Sequence, residues 1–356
     1  MAPPDTMAPR VFFVAHNRNH VRIFEGSAAS LRTNGWDVQF AYVDGQADSD
    51  AAAQAAIAKG FPTVAASTLP RLAKAGDIAC VGNDWGPKAF LRTLERLKRL
   101  GVMLFGVIEG ARYAYSNHYQ RVHRILCWGP SALETLSGEK LIVGSPAVEA
   151  ALRSGFDPPA HASVLVNYKF TRGAAEQGPT WARAAAEAAI KAGAPYVISA
   201  HPLNVGELGG LTLSHDPFLP LLNASTLLVT RSSTAIYEAL AARVSVVYFP
   251  IEGERRAEFG DAQGAFSTAE NAADLDGLVQ AHCRNPRFND ESAQAWLARH
   301  IDIQPERSAS MRIADALQTG WREGLPASKL GLVRRSVEAL RNFVTRFELH
   351  KAGAAR

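Results

Sequence analysis

The residues of this chain best suited to chemistry sit in a few short polar stretches. In residues 225–254, STLLVTRSSTAIYEALAARVSVVYFPIEGE, an apolar run at Leu227, Leu228 and Val229 gives way to Arg231, Ser232, Ser233 and Thr234, then to strong helix formers, then to a β-rich run from Ser245 to Phe249. This order predicts strand, turn, helix, strand. The first N–H groups of such a helix lack intrahelical partners, so the hydroxyls of Ser232, Ser233 and Thr234 add donors where the helix dipole is positive. The turn suits an anion, most simply a phosphate, with Arg231 before it and Glu238 one turn into the helix as further candidate nucleotide-binding residues. An ordinary helix cap is the competing reading. A second stretch is His201-Pro202, where the proline pushes His201 toward an extended backbone and projects its imidazole from a strand end. A third, Ile108-Glu109-Gly110-Ala111-Arg112, presents an acid beside a glycine that shields it little. Glu109 is the leading candidate for a general base, and Arg112 is either a cleft residue or its surface partner. His16, Arg18 and Asn19 in HNRNH, and Asp84 in residues 82–87 (GNDWGP), complete the candidate cleft residues, with a solvated turn as the alternative for HNRNH.

Each stretch follows an apolar run of strand length. Residues 10–15 (RVFFVA), 38–43 (VQFAYV), 77–81 (DIACV), 102–107 (VMLFGV), 125–128 and 141–143 alternate with helical patterns. In one of these, residues 88–100, Leu91, Leu94, Leu97 and Leu100 predict a core-facing stripe at three-residue spacing. Short connections and right-handed crossovers make such strands parallel neighbours, so their loops open at the carboxyl edge of a sheet, where ligands bind. Near residues 154–162, SGFDPPAHA collects glycine, aspartate and two prolines, a boundary signal. The pattern then restarts, with strands at 163–167 and 196–200 around a helix at 180–192, and helices at 272–282 and 290–300. The expected architecture is α/β, with two Rossmann-like domains facing a cleft at residues 1–155 and 156–327. A basic amphipathic helix is expected at 328–356, with Val333, Val337, Leu340, Val344 and Phe347 on one face. It reads either as a dock for an anionic membrane surface or as a helix packed back across the domains.

At 356 residues, 47% of them hydrophobic, the chain can bury two cores. A net charge of +4 on that length argues against nucleic acid as a partner. No apolar run reaches the length of a membrane span and the first residues lack a secretory core, so a cytoplasmic location is expected. Cys80, Cys127 and Cys283 have neither CxxC nor zinc spacing and are expected to be reduced. Asp48-Ser49-Asp50 has the form DxD that holds a metal in some glycosyltransferases, but it precedes an Ala-rich helix and reads as its cap.

Two such halves, with Ile108-Glu109-Gly110 in the first and His201-Pro202 then Ser232-Ser233 in the second, resemble the GT-B glycosyltransferases. Among these, the bacterial sialyltransferases and capsule Kdo transferases carry an acidic motif before glycine, an HP motif and a Ser-Ser motif in that order; Ile108 stands where a further acid would be expected. The stretch VTRSSTAIYEALAARVSVVYF is also similar to the corresponding segment of capsule-polysaccharide and CDP-glycerol transferases and, more loosely, of the UDP-GlcNAc 2-epimerases. The resemblance implies sugar transfer from a nucleotide donor, CMP-linked donors included, to a surface-polysaccharide or lipid-linked glycan acceptor. It implies no metal and no cofactor beyond the nucleotide-sugar co-substrate. Glu109 would then be the base for the acceptor hydroxyl, with residues 1–155 as the acceptor side. His201, the second catalytic candidate, would with Pro202 and the Ser-Ser hydroxyls hold the departing donor phosphate on residues 156–327. An epimerase of the same fold, and a non-catalytic sugar-nucleotide-binding subunit of a polysaccharide assembly complex, are the competing functions.

Overall fold

Apolar runs of four to six residues that end in polar turns favour strands buried on both faces, and a computed structural model of the chain contains two sheets built in this way. It describes residues 8–46, 48–110, 118–155, 159, 161–168, 177–200, 208, 210–251 and 259–324. Arg112, His201, Pro202, Glu252, Glu254 and the helix expected at 328–356 lie outside them. The first half places strands Arg10–Ala15 (β1), Asp37–Tyr42 (β2), Thr63–Ala65 (β3), Ile78–Val81 (β4), Met103–Val107 (β5), Arg124–Cys127 (β6) and Glu139–Ile142 (β7) among helices Arg18–Thr33 (α1), Ser49–Ala58 (α2), Leu69–Leu72 (α3), Lys88–Arg99 (α4), Ser131–Thr135 (α5) and Pro146–Arg153 (α6). The second places Val164–Tyr168 (β8), Tyr196–Ala200 (β9), Leu213–Ser214 (β10), Leu227–Thr230 (β11), Ser245–Tyr248 (β12) and Ser267–Thr268 (β13) among Gly178–Lys191 (α7), Phe218–Asn223 (α8), Ala235–Ala241 (α9), Ala272–Arg284 (α10) and Asp290–His300 (α11). A last helix, Ala309–Glu323 (α12), follows.

Both sheets are parallel throughout, in the orders β3-β2-β1-β4-β5-β6-β7 and β10-β9-β8-β11-β12-β13. The connection reverses direction beside β1 in the first sheet and beside β8 in the second, which opens a crevice at each carboxyl edge. The register fixes what reaches that edge. Val14 lies level with Val81, and Val81 with Gly106, so the chain beyond β1, β4 and β5 brings His16, Asn83 and Glu109 to one place.

Two local expectations are corrected. In α4 the buried residues are Phe90, Thr93, Leu94 and Leu97, while Leu91 is half-buried and Leu100 is 41% exposed. A three-residue spacing outruns the 3.6-residue turn, and the true stripe alternates threes and fours. HNRNH is not one turn: Asn17 caps α1 by accepting the His20 N–H, so Arg18 and Asn19 stand exposed in its first turn while His20 is buried. At α2, Asp48 holds the cap position without a side-chain cap bond, and Asp50 lies in the first turn near the positive end of the dipole.

One apolar core runs through both halves. It joins β1, β4 and β5 to α9, which is buried over its whole length, and at this seam Trp128 meets Tyr237 edge-on at 6.0 Å while Tyr237 stacks on Trp296 at 4.9 Å. After α11 the chain returns to the first half, where α12 packs on α1 and β5. Gly320 permits the contact, since a Cβ there would lie 2.5 Å from the Phe105 ring. Buried Glu149 ties the crossing down by accepting the Ala309 N–H and a guanidinium N–H of Arg312 at 2.9 Å, while Arg312 also donates to Asp302 at 2.5 Å. Breaking such a buried pair from one side costs about 3–5 kcal/mol. No helix among the described residues is long and apolar enough to cross a membrane. Cys80 and Cys127 are buried free thiols, and Cys283 is half-buried and free.

Candidate active site

At the carboxyl edge of the first sheet the carboxylate of Glu109 pairs with the buried ring of His20 through Nε2. The other ring nitrogen, Nδ1, accepts the His16 N–H at 3.0 Å, so the ring proton sits on Nε2 and points at Glu109. The ring has space because residue 82 is glycine: a Cβ there would lie 2.4 Å from His20 Nδ1. Burial alone would raise the Glu109 pKa. The attraction of His20 and hydrogen bonds from the His20, Asn83 and Asn17 side chains outweigh it and hold the carboxyl below its ordinary value. Glu109 keeps 23% of its side chain exposed, so it is a fixed anion with one open side.

His16 is 6% exposed, with its ring edge-on to Phe90 at 4.7 Å. Burial, reinforced by His20 and only partly opposed by the Asn83 backbone, pushes its pKa down to about 3, so the ring is neutral. Asp84, 1% exposed, is committed to the chain, its two oxygens accepting the N–H groups of Tyr119 at 2.7 Å and Arg121 at 2.9 Å. Tyr119, at a φ of 60°, gives its hydroxyl to the carbonyl of Gly82 at 2.7 Å, and Trp85 stacks on His118 at 4.3 Å.

The second edge is made of hydroxyls and amides. Asn167, at the end of β8, donates to Thr230 Oγ1 at 2.9 Å and to Ser233 Oγ at 3.2 Å. Ser233 Oγ also accepts the Ala235 N–H at 3.2 Å. The oxygen is thereby used twice as an acceptor, and among the described residues nothing takes its hydrogen, which remains to be donated. Ser232, Ser233 and Thr234 are half-buried, while Arg231 is 1% exposed beneath them. Glu238, 7% exposed, faces the first half, where Arg22 of α1 donates to both its oxygens at 3.1 and 3.2 Å. No cluster of three or more His, Cys, Asp or Glu side chains suited to a metal lies among the described residues.

No protein-family model and no curated protein sequence matches this chain. Solved structures do. It is similar to MurG of Acinetobacter baumannii with a TM-score of 0.56 at 14% identity, covering 87% of this chain and 99% of that one. It is similar to the UDP-GlcNAc 2-epimerase of Neisseria meningitidis bound to UDP-GlcNAc with a TM-score of 0.59 at 13% identity, covering 87% and 100%. A calicheamicin glycosyltransferase gives a TM-score of 0.57 at 15% identity, covering 90% and 100%. The fold is GT-B.

Within the GT-B frame, the candidates that the structure brings together at one edge are Glu109, His16 and Asp84, and at the other Arg231, Ser232, Ser233, Thr234 and Glu238. Arg18 and Asn19 lie exposed in the first turn of α1, between Asn17 and His20. Sequence reasoning missed His20, Asn83, Asn167 and Arg22. One signal was present: reading Asn17 as a helix cap puts His20 three residues on, inside the first turn and facing inward.

Proposed function

We propose that this chain transfers a glycosyl group from a nucleotide sugar held at the second sheet to a hydroxyl acceptor held at the first. The observation that carries the reading is the Glu109–His20 pair, a fixed carboxylate with one open side at a GT-B cleft. Glu109 takes the proton of the acceptor hydroxyl, the oxygen bonds to the anomeric carbon, and the bond from that carbon to the phosphate oxygen breaks, its electron pair leaving with the nucleotide. Donors at the Ser232-Ser233 turn stabilise the charge that develops there. Burial at the seam excludes water that would hydrolyse the donor. The finer expectations of a CMP-linked donor, a surface-polysaccharide acceptor, metal independence and a place at the inner face of a membrane belong to the same proposal, and rest on motif order and on residues 328–356.

The test incubates the full chain with UDP-, TDP-, CMP- and CDP-linked sugars in EDTA and follows nucleotide release with and without glycan acceptors. Acceptor-dependent release that Glu109→Gln lowers by about 10²–10⁴-fold is the expected result; release by neither protein overturns the reading. A second reading, an epimerase, is favoured by a likeness to UDP-GlcNAc 2-epimerases as close as that to the transferases. An epimerase changes the configuration at C2 of UDP-GlcNAc without any acceptor, which NMR detects. Nucleotide-sugar binding without either reaction would point to a non-catalytic subunit.

A further inference from the structure

Away from the cleft, the amino edge of the second sheet holds two adjoining cavities. The ladder between β12 and β13 begins only at Val247 and Ser267, and a cavity of about 470 Å³ opens between the start of β12 at Ser245 and Val246 and the chain at residues 264–266. A smaller one of about 310 Å³ shares Ser245, His282, Arg287 and Phe288 with it and reaches Arg243. Both volumes fall in the range of ligand pockets, about 300–1,000 Å³. Phe266, Leu278 and Phe288 supply apolar lining, no aspartate or glutamate lines either cavity, and two arginines do. Neither arginine is explained by the chain around it. At the end of α9 the Val244 N–H returns to the Ala239 carbonyl at 2.9 Å and the Arg243 N–H to that of Leu240 at 3.2 Å, which holds Arg243 at a φ of 61°. Glycine takes that left-handed place without cost, and a side chain does not. The Arg243 guanidinium meets Asp290 only at 3.7 Å, with both side chains exposed, a pair that contributes little. Arg287 has no acidic partner among the described residues. Asn285, with its amide oxygen turned to that guanidinium, accepts from Nε and Nη2 at 2.9 Å, which fixes the plane and leaves Nη1 to donate. His282 is not a third charge: burial lowers its pKa, and its Nε2 lies 3.2 Å from Thr226 Oγ1. An oriented guanidinium beside an apolar wall, with a second guanidinium on the same cavity and no carboxylate lining it, matches a carboxylate or phosphate carried on a flat apolar body.

We infer that this amino-edge pocket is a second ligand site, separate from the Ser232-Ser233 edge, which binds a small aromatic anion with its acid group on Arg287 and Arg243 and its ring against Phe288. The full chain is titrated calorimetrically with phenyl phosphate and with benzoate, in the presence and absence of UDP. Benzyl alcohol supplies the ring without the charge, and inorganic phosphate the charge without the ring. The expected result is saturable binding of the aromatic anions at one site, roughly tenfold or more tighter than either control, and unchanged by UDP or by Ser233→Ala. Arg287→Ala, at an exposed position, should weaken it roughly ten- to hundredfold. Arg243→Gly should weaken it about tenfold and yet unfold at no lower temperature, because glycine relieves the backbone while the guanidinium is lost. An arginine kept for the end of α9 alone would give the opposite pattern, lower stability with binding unchanged. The inference is overturned by an absence of saturable binding of either aromatic anion, by binding that either arginine variant leaves unchanged, by displacement with UDP, or by benzyl alcohol binding as tightly as benzoate.

Discussion

The two cleft edges of this GT-B chain are built from different materials. The first is charged and locked: Glu109 is held by His20, His20 is seated on Gly82 and pinned by the His16 N–H, and Asp84 fastens Tyr119 and Arg121 behind it. Among the described residues the second presents half-buried hydroxyls cross-linked by one amide, Asn167, while Arg231 and Glu238 are buried. Proton transfer needs a base within hydrogen-bond reach of one proton, so the first edge must be rigid. Holding an anion needs several donors with some play, which hydroxyl rotors supply. The contrast predicts that damage at the first edge reduces turnover, and that damage at the second reduces affinity.

The largest effect should come from Glu109→Gln, which keeps the shape and removes the basicity. Turnover should fall by about 10²–10⁴-fold with nucleotide affinity unchanged, a split that steady-state kinetics and calorimetry read directly. An equal fall in affinity would mean that the two edges are not separable. Ser233→Ala should do the reverse. Losing its free hydroxyl hydrogen as a donor to a charged phosphate is worth about 1.5–3 kcal/mol, or roughly ten- to hundredfold in nucleotide affinity. Because Ser233 Oγ also accepts the Ala235 N–H, a loss of about 0.5–1.5 kcal/mol in folding stability should accompany it. Unchanged calorimetric affinity for UDP, TDP and CMP would remove the second edge from the site.

The strands that frame both edges were legible because runs such as Val11–Val14 and Leu227–Val229 are buried on both faces, and a doubly buried strand is apolar without interruption. Glu109 and the Ser232-Ser233 turn were legible for the same reason, since a polar residue at the end of such a run has only the sheet edge to occupy. What tertiary contact decides was not legible. His20 reads as part of a polar turn until the Asn17 cap is seen, and α12 carries no local mark of its place, because its partners in α1 and β5 lie some two hundred residues or more away in sequence. The Leu91–Leu100 spacing misled because leucine was counted and Phe90 and Thr93 were not.

The rigidity of the first edge can also be broken by protons. With its folded pKa near 3 and an ordinary value of 6.5, His16 refuses a proton that the unfolded chain accepts between those limits. Its contribution is therefore fully present above about pH 6.5 and lost as pH falls toward 3, by at most about 1.4 kcal/mol per pH unit. His123, held near 4 first by its own burial and then by Lys98 and Arg124, adds a slope of the same sign. Urea unfolding at pH 4.5 and 6.5 should show the difference between the two conditions shrink in His16→Gln by up to one proton's worth of slope. An unchanged difference would mean that His16 is not held neutral, and the first edge would lose its distinction.

The smallest effect concerns the one described ion pair that joins the two edges. Arg22 reaches from α1 to Glu238 of α9, but its side chain is 41% exposed while that of Glu238 is 7% exposed. An exposed guanidinium is screened by water and salt, so the pair should contribute only about 0.2–1 kcal/mol, far less than the apolar seam around Tyr237 and Trp296 that holds the halves together. A double-mutant cycle with Arg22→Ala and Glu238→Gln measures that coupling. It should largely disappear in 1 M salt, where the screening length is about 3 Å. It should also shrink when nucleotide is added, since a ligand that engages Glu238 competes with Arg22 for the same two oxygens. Coupling that persists in high salt and ignores nucleotide would make the pair a clamp fixing one edge against the other, and the difference between a locked edge and an open one would then belong to the cleft as a whole.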